Sequence, residues 1–124
     1  MDGYKKIAWQ REYYCIYAEI TLELNEREPI GDFMSPTGLN KIIDSNWRTG
    51  ILFSLALIQG KLPEIANDIQ ICINSFNGEP GDTTIMAVAY VTYHAIVESL
   101  APQLADDFTF DEETAEFRIQ GVAG

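Results

Sequence analysis

One alternating segment constrains the fold of this chain more than any other feature. Between Tyr14 and Leu24 the even positions are apolar or aromatic, and most of the odd positions are polar. The even set is Tyr14, Ile16, Ala18, Ile20, Leu22 and Leu24. A period of two is that of a β-strand with one buried face, because a helix would scatter the same residues around its axis. The pattern predicts a long N-terminal strand, which could begin as early as Ile7 and Trp9.

Three later segments show apolar residues at helical spacing. The first predicts a short helix over about 38–48, with an interruption at Thr49 and Gly50. The second follows Pro63 and runs to residue 76, and it is the clearest helical pattern in the chain. The third predicts a helix over about 83–100, capped by Asp82 or Thr83 and followed by Pro102.

Two segments are less regular. Residues 25–38 contain two prolines and two glycines, so they predict a long irregular loop of the kind that often carries function. Residues 51–59, ILFSLALIQ, fit a buried helix or a buried strand, since periodicity alone does not separate the two for a short apolar run. Ser54, Ala56 and the flanking glycines favour the helix.

The C-terminal part predicts a β-hairpin. Phe108 and Phe110 alternate with polar residues, the charged sequence DEET follows, and Phe117 and Ile119 alternate again. We expect the apolar face of this hairpin to dock on the N-terminal strand's sheet and its acidic turn to face solvent. The predicted fold is α+β: one domain over 1–124, with a small antiparallel sheet of long N-terminal strand plus C-terminal hairpin, packed by three or four helices.

The charge is strongly negative and unevenly distributed. The chain has 124 residues, 47% of them hydrophobic, and a net charge of −11. Residues 1–61 carry a net −1, whereas residues 62–124 have eleven acidic residues against Arg118 alone, a net −10. Such a surface repels phosphate backbones and anionic lipids, so the sequence predicts no direct nucleic-acid or membrane binding and favours a basic protein partner. No apolar run is long enough for a bilayer span.

The acidic residues around the hairpin are the leading candidate site. Between residues 106 and 117 six carboxylates occur with no basic residue: Asp106, Asp107, Asp111, Glu112, Glu113 and Glu116. The spacing lacks the turn glycine and alternating ligands of a calcium loop, so no metal is predicted. Two interpretations stay open: charges that keep a hairpin edge solvated, and a docking surface for a Lys/Arg-rich partner.

Aromatic residues near the N-terminus add a second candidate surface. Tyr13 and Tyr17 lie at odd positions, away from the predicted buried face, and exposed tyrosines suit protein interfaces. The sequence leaves open whether they form a partner or homodimer surface or are covered by helices on both sides of the sheet.

Catalytic patterns are weak. Tyr90, His94 and Glu98 lie one helical turn apart and could line a ligand pocket, but a semi-exposed structural histidine is the simpler interpretation. Cys15 and Cys72 are predicted to be reduced, buried packing residues. Neither nucleophile motifs nor a phosphate-binding glycine loop nor a cofactor fingerprint occurs, so we expect a non-enzymatic protein without a cofactor, in the cytoplasm.

The sequence therefore predicts a small acidic binding protein. Its size and charge match those of stoichiometric inhibitors and of immunity or anti-defence proteins, which cover the basic surface of a target such as a nucleic-acid enzyme. The alternative is a homo-oligomeric assembly or small-ligand-binding protein that uses the exposed tyrosines and the 25–38 loop.

Overall fold

The computed structural model describes residues 1–120. Its elements in chain order are β1 (Asp2–Arg11), β2 (Tyr14–Glu26), α1 (Pro36–Asn40), α2 (Ser45–Lys61), α3 (Pro63–Asp68), β3 (Ile69–Asn77), α4 (Ile85–Leu100), a 3₁₀ helix (Pro102–Asp107), β4 (Phe108–Asp111) and β5 (Glu116–Ile119). The fold is α+β, as predicted. No helix among the described residues is long and apolar enough to cross a bilayer.

The first three strands form an antiparallel sheet in the order β1, β2, β3. Strand β2 is the predicted alternating segment, and its even residues from Ile16 to Leu24 are buried whereas its odd ones are partly exposed. Tyr14 is the exception at 52% exposed, because it lies next to the β1–β2 turn. Residues Ile7 and Trp9 belong to a separate strand, so the chain makes a hairpin where one longer strand was considered.

The core lies on one face of this sheet. Helix α4 packs against β1 and β2, and α2 packs on α4. Every residue of α4 from Val91 to Val97 is buried, which makes it the central helix rather than a surface helix with one apolar stripe. Thr84, not Asp82 or Thr83, caps its N-terminus through a 3.1 Å hydrogen bond from the Ala87 N–H.

The prediction of one helix over 63–76 is wrong. The helix ends at Asp68, and β3 begins at Ile69 and pairs with β2. Ile69, Ile71 and Ile73 satisfy a period of two as well as one near four, and β-branched residues favour strands. The free edge of β2 decides between the two, because only a strand can pair with it.

The helix predicted over 38–48 is also wrong in its bounds. Asp44 starts a new helix by accepting hydrogen bonds from the N–H groups of Asn46 and Trp47, so α1 and α2 are separate. Helix α2 then continues through Thr49 and Gly50 and includes residues 51–59, which confirms their helical assignment. Gly50 serves packing, since a Cβ there would lie 2.6 Å from the Ile85 carbonyl oxygen on α4.

The C-terminal hairpin forms where predicted, but it docks elsewhere. Strands β4 and β5 make a sheet of their own, with Phe110 opposite Phe117. Its apolar face packs on α4, where Phe108 meets Tyr93 at 5.4 Å between ring centroids, and it reaches the larger sheet through Trp9. The expectation that it covers the sheet of β2 is therefore wrong, because α4 already covers that face.

Candidate functional site

Two turns meet at one end of the molecule and bring exposed acids and tyrosines together. The first joins β1 to β2 and contains Glu12 and Tyr13, followed by Tyr14; the second joins β4 to β5 and spans residues 112–115. We call residues 12–14 together with residues 111–116 the acidic end. Tyr13 is fully exposed, and Glu112 and Glu113 are exposed, so this surface is available to a partner.

Arg11 and Trp9 hold the second turn in place. The Arg11 guanidinium donates to the backbone oxygens of Glu113 at 2.6 Å and Glu112 at 3.0 Å, and Trp9 Nε1 donates to the Glu112 oxygen at 3.1 Å. Hydrogen bonds from a charged donor contribute about 1.5–3 kcal/mol each. Because the bonds go to backbone oxygens, both glutamate carboxylates remain directed at solvent.

A row of aromatic rings connects the two turns beneath the charges. Tyr14 lies 5.8 Å from Trp9 and Trp9 lies 5.9 Å from Phe110, both edge to face. Edge-to-face pairs contribute about 0.5–1.5 kcal/mol beyond the burial of their area. The acidic end is therefore tied to both sheets.

The charges of the acidic end do not cancel. Its five carboxylates are Glu12, Asp111, Glu112, Glu113 and Glu116, and two guanidinium groups lie beside them. Arg118 contacts Asp111 at 3.5 Å and Glu116 at 3.6 Å, while Arg11 is turned to the backbone. The local net charge is thus −3, concentrated around exposed tyrosine rings.

Asp111 shapes the acidic turn. Its Oδ1 accepts hydrogen bonds from the N–H groups of Glu113 at 2.9 Å and Thr114 at 3.3 Å, and these bonds hold the pKa of its carboxyl below the ordinary 3.8. Ala115 closes the turn in the left-handed region with φ of 58°.

We predict that the Asp111 carboxyl titrates below pH 3.8 in an NMR pH titration of the folded protein. A lowered folded pKa means that the carboxylate stabilises the fold above the unfolded pKa, and that this contribution is lost as the pH falls through the folded value. The variant Asp111→Asn should lack that pH dependence. A midpoint at or above the ordinary value would contradict the hydrogen bonding described here.

The other predicted acidic residues lie at the opposite end of the hairpin. Asp107 binds Lys61 at 2.8 Å, and Asp106 is exposed on the 3₁₀ helix. Residues 108–111 of β4 separate both from the acidic turn. The six carboxylates of the sequence cluster therefore form two groups, and only four of them share a surface with Tyr13.

Tyr17 lies on a different surface from Tyr13. It is on the sheet face opposite to α4, which no described helix covers, whereas Tyr13 is in a turn. Around Tyr17 the Glu19 carboxylate accepts hydrogen bonds from Tyr4 Oη at 2.5 Å and Asn77 Nδ2 at 3.0 Å, which lower the pKa of Glu19. Cys15 and Cys72 are also on this face, free and partly exposed, so the expectation that they are buried is wrong.

His94 is buried rather than semi-exposed, at 5% exposure. Its Nε2 donates to the Phe108 oxygen at 2.6 Å, since a carbonyl can only accept, and its ring lies 4.4 Å from that of Tyr90. Nδ1 lies 3.4 Å from the Glu98 carboxylate, which also binds Lys5 at 3.0 Å. The three residues share a helix face as predicted, and His94 joins α4 to β4. A ligand pocket at these three residues stays a prediction.

A cavity of about 450 Å³ lies elsewhere, between α1, α2 and β3. Trp47 and Phe76 line it with their rings 5.2 Å apart, next to Ile42, Ile73 and Lys41. Its volume is within the range of small-ligand sites. The irregular segment predicted over 25–38 is shorter in the structure, since β2 extends to Glu26 and α1 begins at Pro36. Its residues 27–35 run beside β3, where Arg27 donates to the Gly31 and Ala66 oxygens and the Ser35 N–H donates to the Ile71 oxygen.

Sequence reasoning missed the role of four residues in or beside the acidic end: Glu12 and Tyr14 within it, and Trp9 and Arg11, which hold it from β1. The sequence gives no sign of the tight turn between β1 and β2. Glu12 has a positive φ of 52° there, a conformation for which glycine or asparagine would be the usual sequence signal. No protein-family model matches this sequence, and no curated protein matches it either.

Proposed function

We propose that the protein is a non-enzymatic, stoichiometric binding protein that docks its acidic end on a basic protein surface. The observation that supports this most is the pairing of uncompensated carboxylates with exposed tyrosines on two turns braced by Arg11 and Trp9. Rigid aromatic side chains lose little conformational freedom on binding, and exposed charges speed association with an opposite charge. An inhibitor or immunity-type protein that covers the cleft of a nucleic-acid enzyme is the form of this function we favour.

Size is compatible with the proposal. A standard interface takes about 800 Å² per partner, roughly one-ninth of the 7091 Å² accessible surface of this chain. The charge of the acidic end should attract lysine and arginine side chains and repel phosphate groups.

The test begins by identifying the target. Immobilised protein is exposed to lysate of the source cell at about 50 mM and about 500 mM salt, between which screening shortens from roughly 14 Å to 4 Å. A basic protein recovered more strongly at low salt is then purified, and its association rate with the chain is measured.

We predict that the triple variant Glu112→Gln, Glu113→Gln, Glu116→Gln associates with that target about tenfold more slowly at low salt. At high salt its rate should approach that of the unchanged protein, because screening removes the long-range attraction. The matched control is Glu26→Gln, Glu28→Gln, Glu64→Gln, which removes three exposed charges outside the acidic end. Equal slowing by both triple variants, or none by the first at low salt, would overturn the proposal.

A further inference from the structure

The outer edge of β1 has a row of backbone groups without hydrogen-bond partners. The Leu24 N–H donates to the Met1 oxygen at 2.7 Å, and the Met1 amino group donates to the Leu24 oxygen at 3.3 Å. Bonded and non-bonded pairs alternate along an antiparallel ladder, so the odd residues of β1 bond to β2 and the even residues point away from it. The Asp2 oxygen accepts from Ser99 Oγ outside the sheet, in agreement with this direction.

Four residues thereby present free backbone groups: Tyr4, Lys6, Ala8 and Gln10. Among residues 1–120 no hydrogen bond engages their outward N–H or C=O groups. The C-terminal hairpin is a separate sheet and does not add a strand to this edge. The side chains of all four residues are exposed on the uncovered sheet face.

Most of the usual protections of a free edge are missing here. Natural edge strands are typically short, bulged, interrupted by proline, covered, or charged, especially with lysine. Strand β1 has ten residues, and its register with β2 is unbroken from Asp2↔Glu23 to Arg11↔Tyr14. Lys6 is the one exposed charge in its middle, since Lys5 is bound to Glu98.

We propose that this edge pairs with the β1 edge of a second copy, antiparallel about a two-fold axis through Ile7, to form a continuous six-stranded sheet. In this register Lys6 lies opposite Ala8 of the second copy, and Tyr4 lies opposite Gln10. Each outward pair exchanges two backbone hydrogen bonds, about eight in total. The inference goes beyond the proposed function and does not depend on it.

The side chains select this two-fold register over its neighbours. Shifting the axis to residue 6 puts Lys6 opposite Lys6 of the second copy, and shifting it to residue 5 puts Lys5 opposite Lys5 of the second copy. Like charges directly opposite each other destabilise a sheet. Only the axis through Ile7 places an apolar residue against itself and both lysines opposite uncharged residues.

The acidic ends remain free in such a dimer. Because the two β1 strands are antiparallel, the β1–β2 turns lie at opposite ends of the shared edge. Each chain carries a net charge of −11, so the two copies repel at long range and salt should strengthen the dimer. Binding of a basic target should weaken with salt, so the two associations respond in opposite directions.

The test is sedimentation equilibrium of the full chain from about 1 to 200 µM at about 50 and 500 mM salt. We expect a species of twice the 13.9 kDa chain mass, more populated at high salt. Ala8→Lys should raise the dimer dissociation constant about tenfold, because each new lysine faces Lys6 of the other copy and the dimer then contains two like-charged pairs; Ala8→Glu should lower it. The double variant Lys6→Glu, Ala8→Lys should restore dimerisation.

The control is Ser75→Lys, which adds the same charge to an exposed position on β3 at the far edge of the sheet. It should leave the dissociation constant close to that of the unchanged protein. A monomer at every concentration and salt would overturn the proposal. Equal effects of Ala8→Lys and Ala8→Glu would overturn it too, since they would show that residue 8 does not face Lys6. Circular dichroism of each variant verifies that the monomer fold is intact.

Discussion

Truncating Phe108 to alanine is expected to lower the free energy of unfolding by about 3–5 kcal/mol, which is the usual cost of removing a fully buried phenylalanine side chain. Phe108 is 1% exposed at the start of β4. Its ring contacts those of Tyr93 at 5.4 Å and Tyr90 at 5.5 Å, both on α4. The variant leaves a cavity at the junction that attaches the C-terminal hairpin to the rest of the fold.

The measurement is urea denaturation followed by circular dichroism. Phe53→Ala is the matched control, because Phe53 is on the outer side of α2 with 39% of its surface exposed, so its truncation should cost about 1 kcal/mol or less. If the two variants lost equal stability, Phe108 would not be the core contact described here. A second readout follows from the fold: Phe108→Ala should also weaken target binding, since β4 positions the acidic turn.

Adding a methyl group at Gly50 is expected to destabilise the fold by about 1–3 kcal/mol, although alanine is a better helix former than glycine. At this position α2 and α4 are in close contact. The new Cβ would lie 2.6 Å from the Ile85 carbonyl oxygen and 2.8 Å from the Val88 Cβ. Backbone atoms cannot move aside as a flexible side chain does, so the two helices must separate.

Gly60 provides the control within the same helix. A Cβ there would meet no atom within 4 Å, so Gly60→Ala should stabilise the protein by about 0.5–1 kcal/mol through helix propensity alone. The two substitutions are chemically identical and are expected to change the thermal midpoint in opposite directions. A stabilising Gly50→Ala would show that α2 and α4 are farther apart than described.

These two predictions concern the framework that places the acidic end. Helix α4 supports the three-stranded sheet on one side and the C-terminal hairpin on the other, and α2 covers it. His94 links α4 to β4 by its bond to the Phe108 oxygen. Changes at this framework should therefore reduce stability first and partner binding second, whereas neutralising the glutamates of the acidic turn should affect association alone.

Local sequence patterns correctly predicted the elements whose periodicity fits only one type of secondary structure. The alternation from residues 14 to 24 fits only a strand, and the apolar residues over about 83–100 recur at helical spacing and form α4, although the structure buries more than one face of it. The paired phenylalanines on either side of DEET likewise specified the hairpin. The separation of charge along the chain, with −10 in residues 62–124, also needed no structure.

Tertiary structure determined the conformation of the segments whose sequence pattern fits two types of local structure. Ile69, Ile71 and Ile73 suit a helix or a strand, and they form β3 because β2 offers an unpaired edge. Gly50 resembled a helix terminator, yet it lies inside α2 because two helices need a residue without a side chain where they approach.

The candidate site also has a part that local sequence predicts and a part that only tertiary contacts determine. Sequence alone identified the acidic residues of the hairpin from local composition. It also placed Tyr13 away from the buried face, but by strand alternation, whereas Tyr13 lies in the β1–β2 turn. It did not reveal that Arg11 and Trp9 bring the two turns together across about a hundred residues, or that Tyr17 faces away from Tyr13. Contacts between distant segments depend on how α4 fills the space between the two sheets, and no local pattern encodes that geometry.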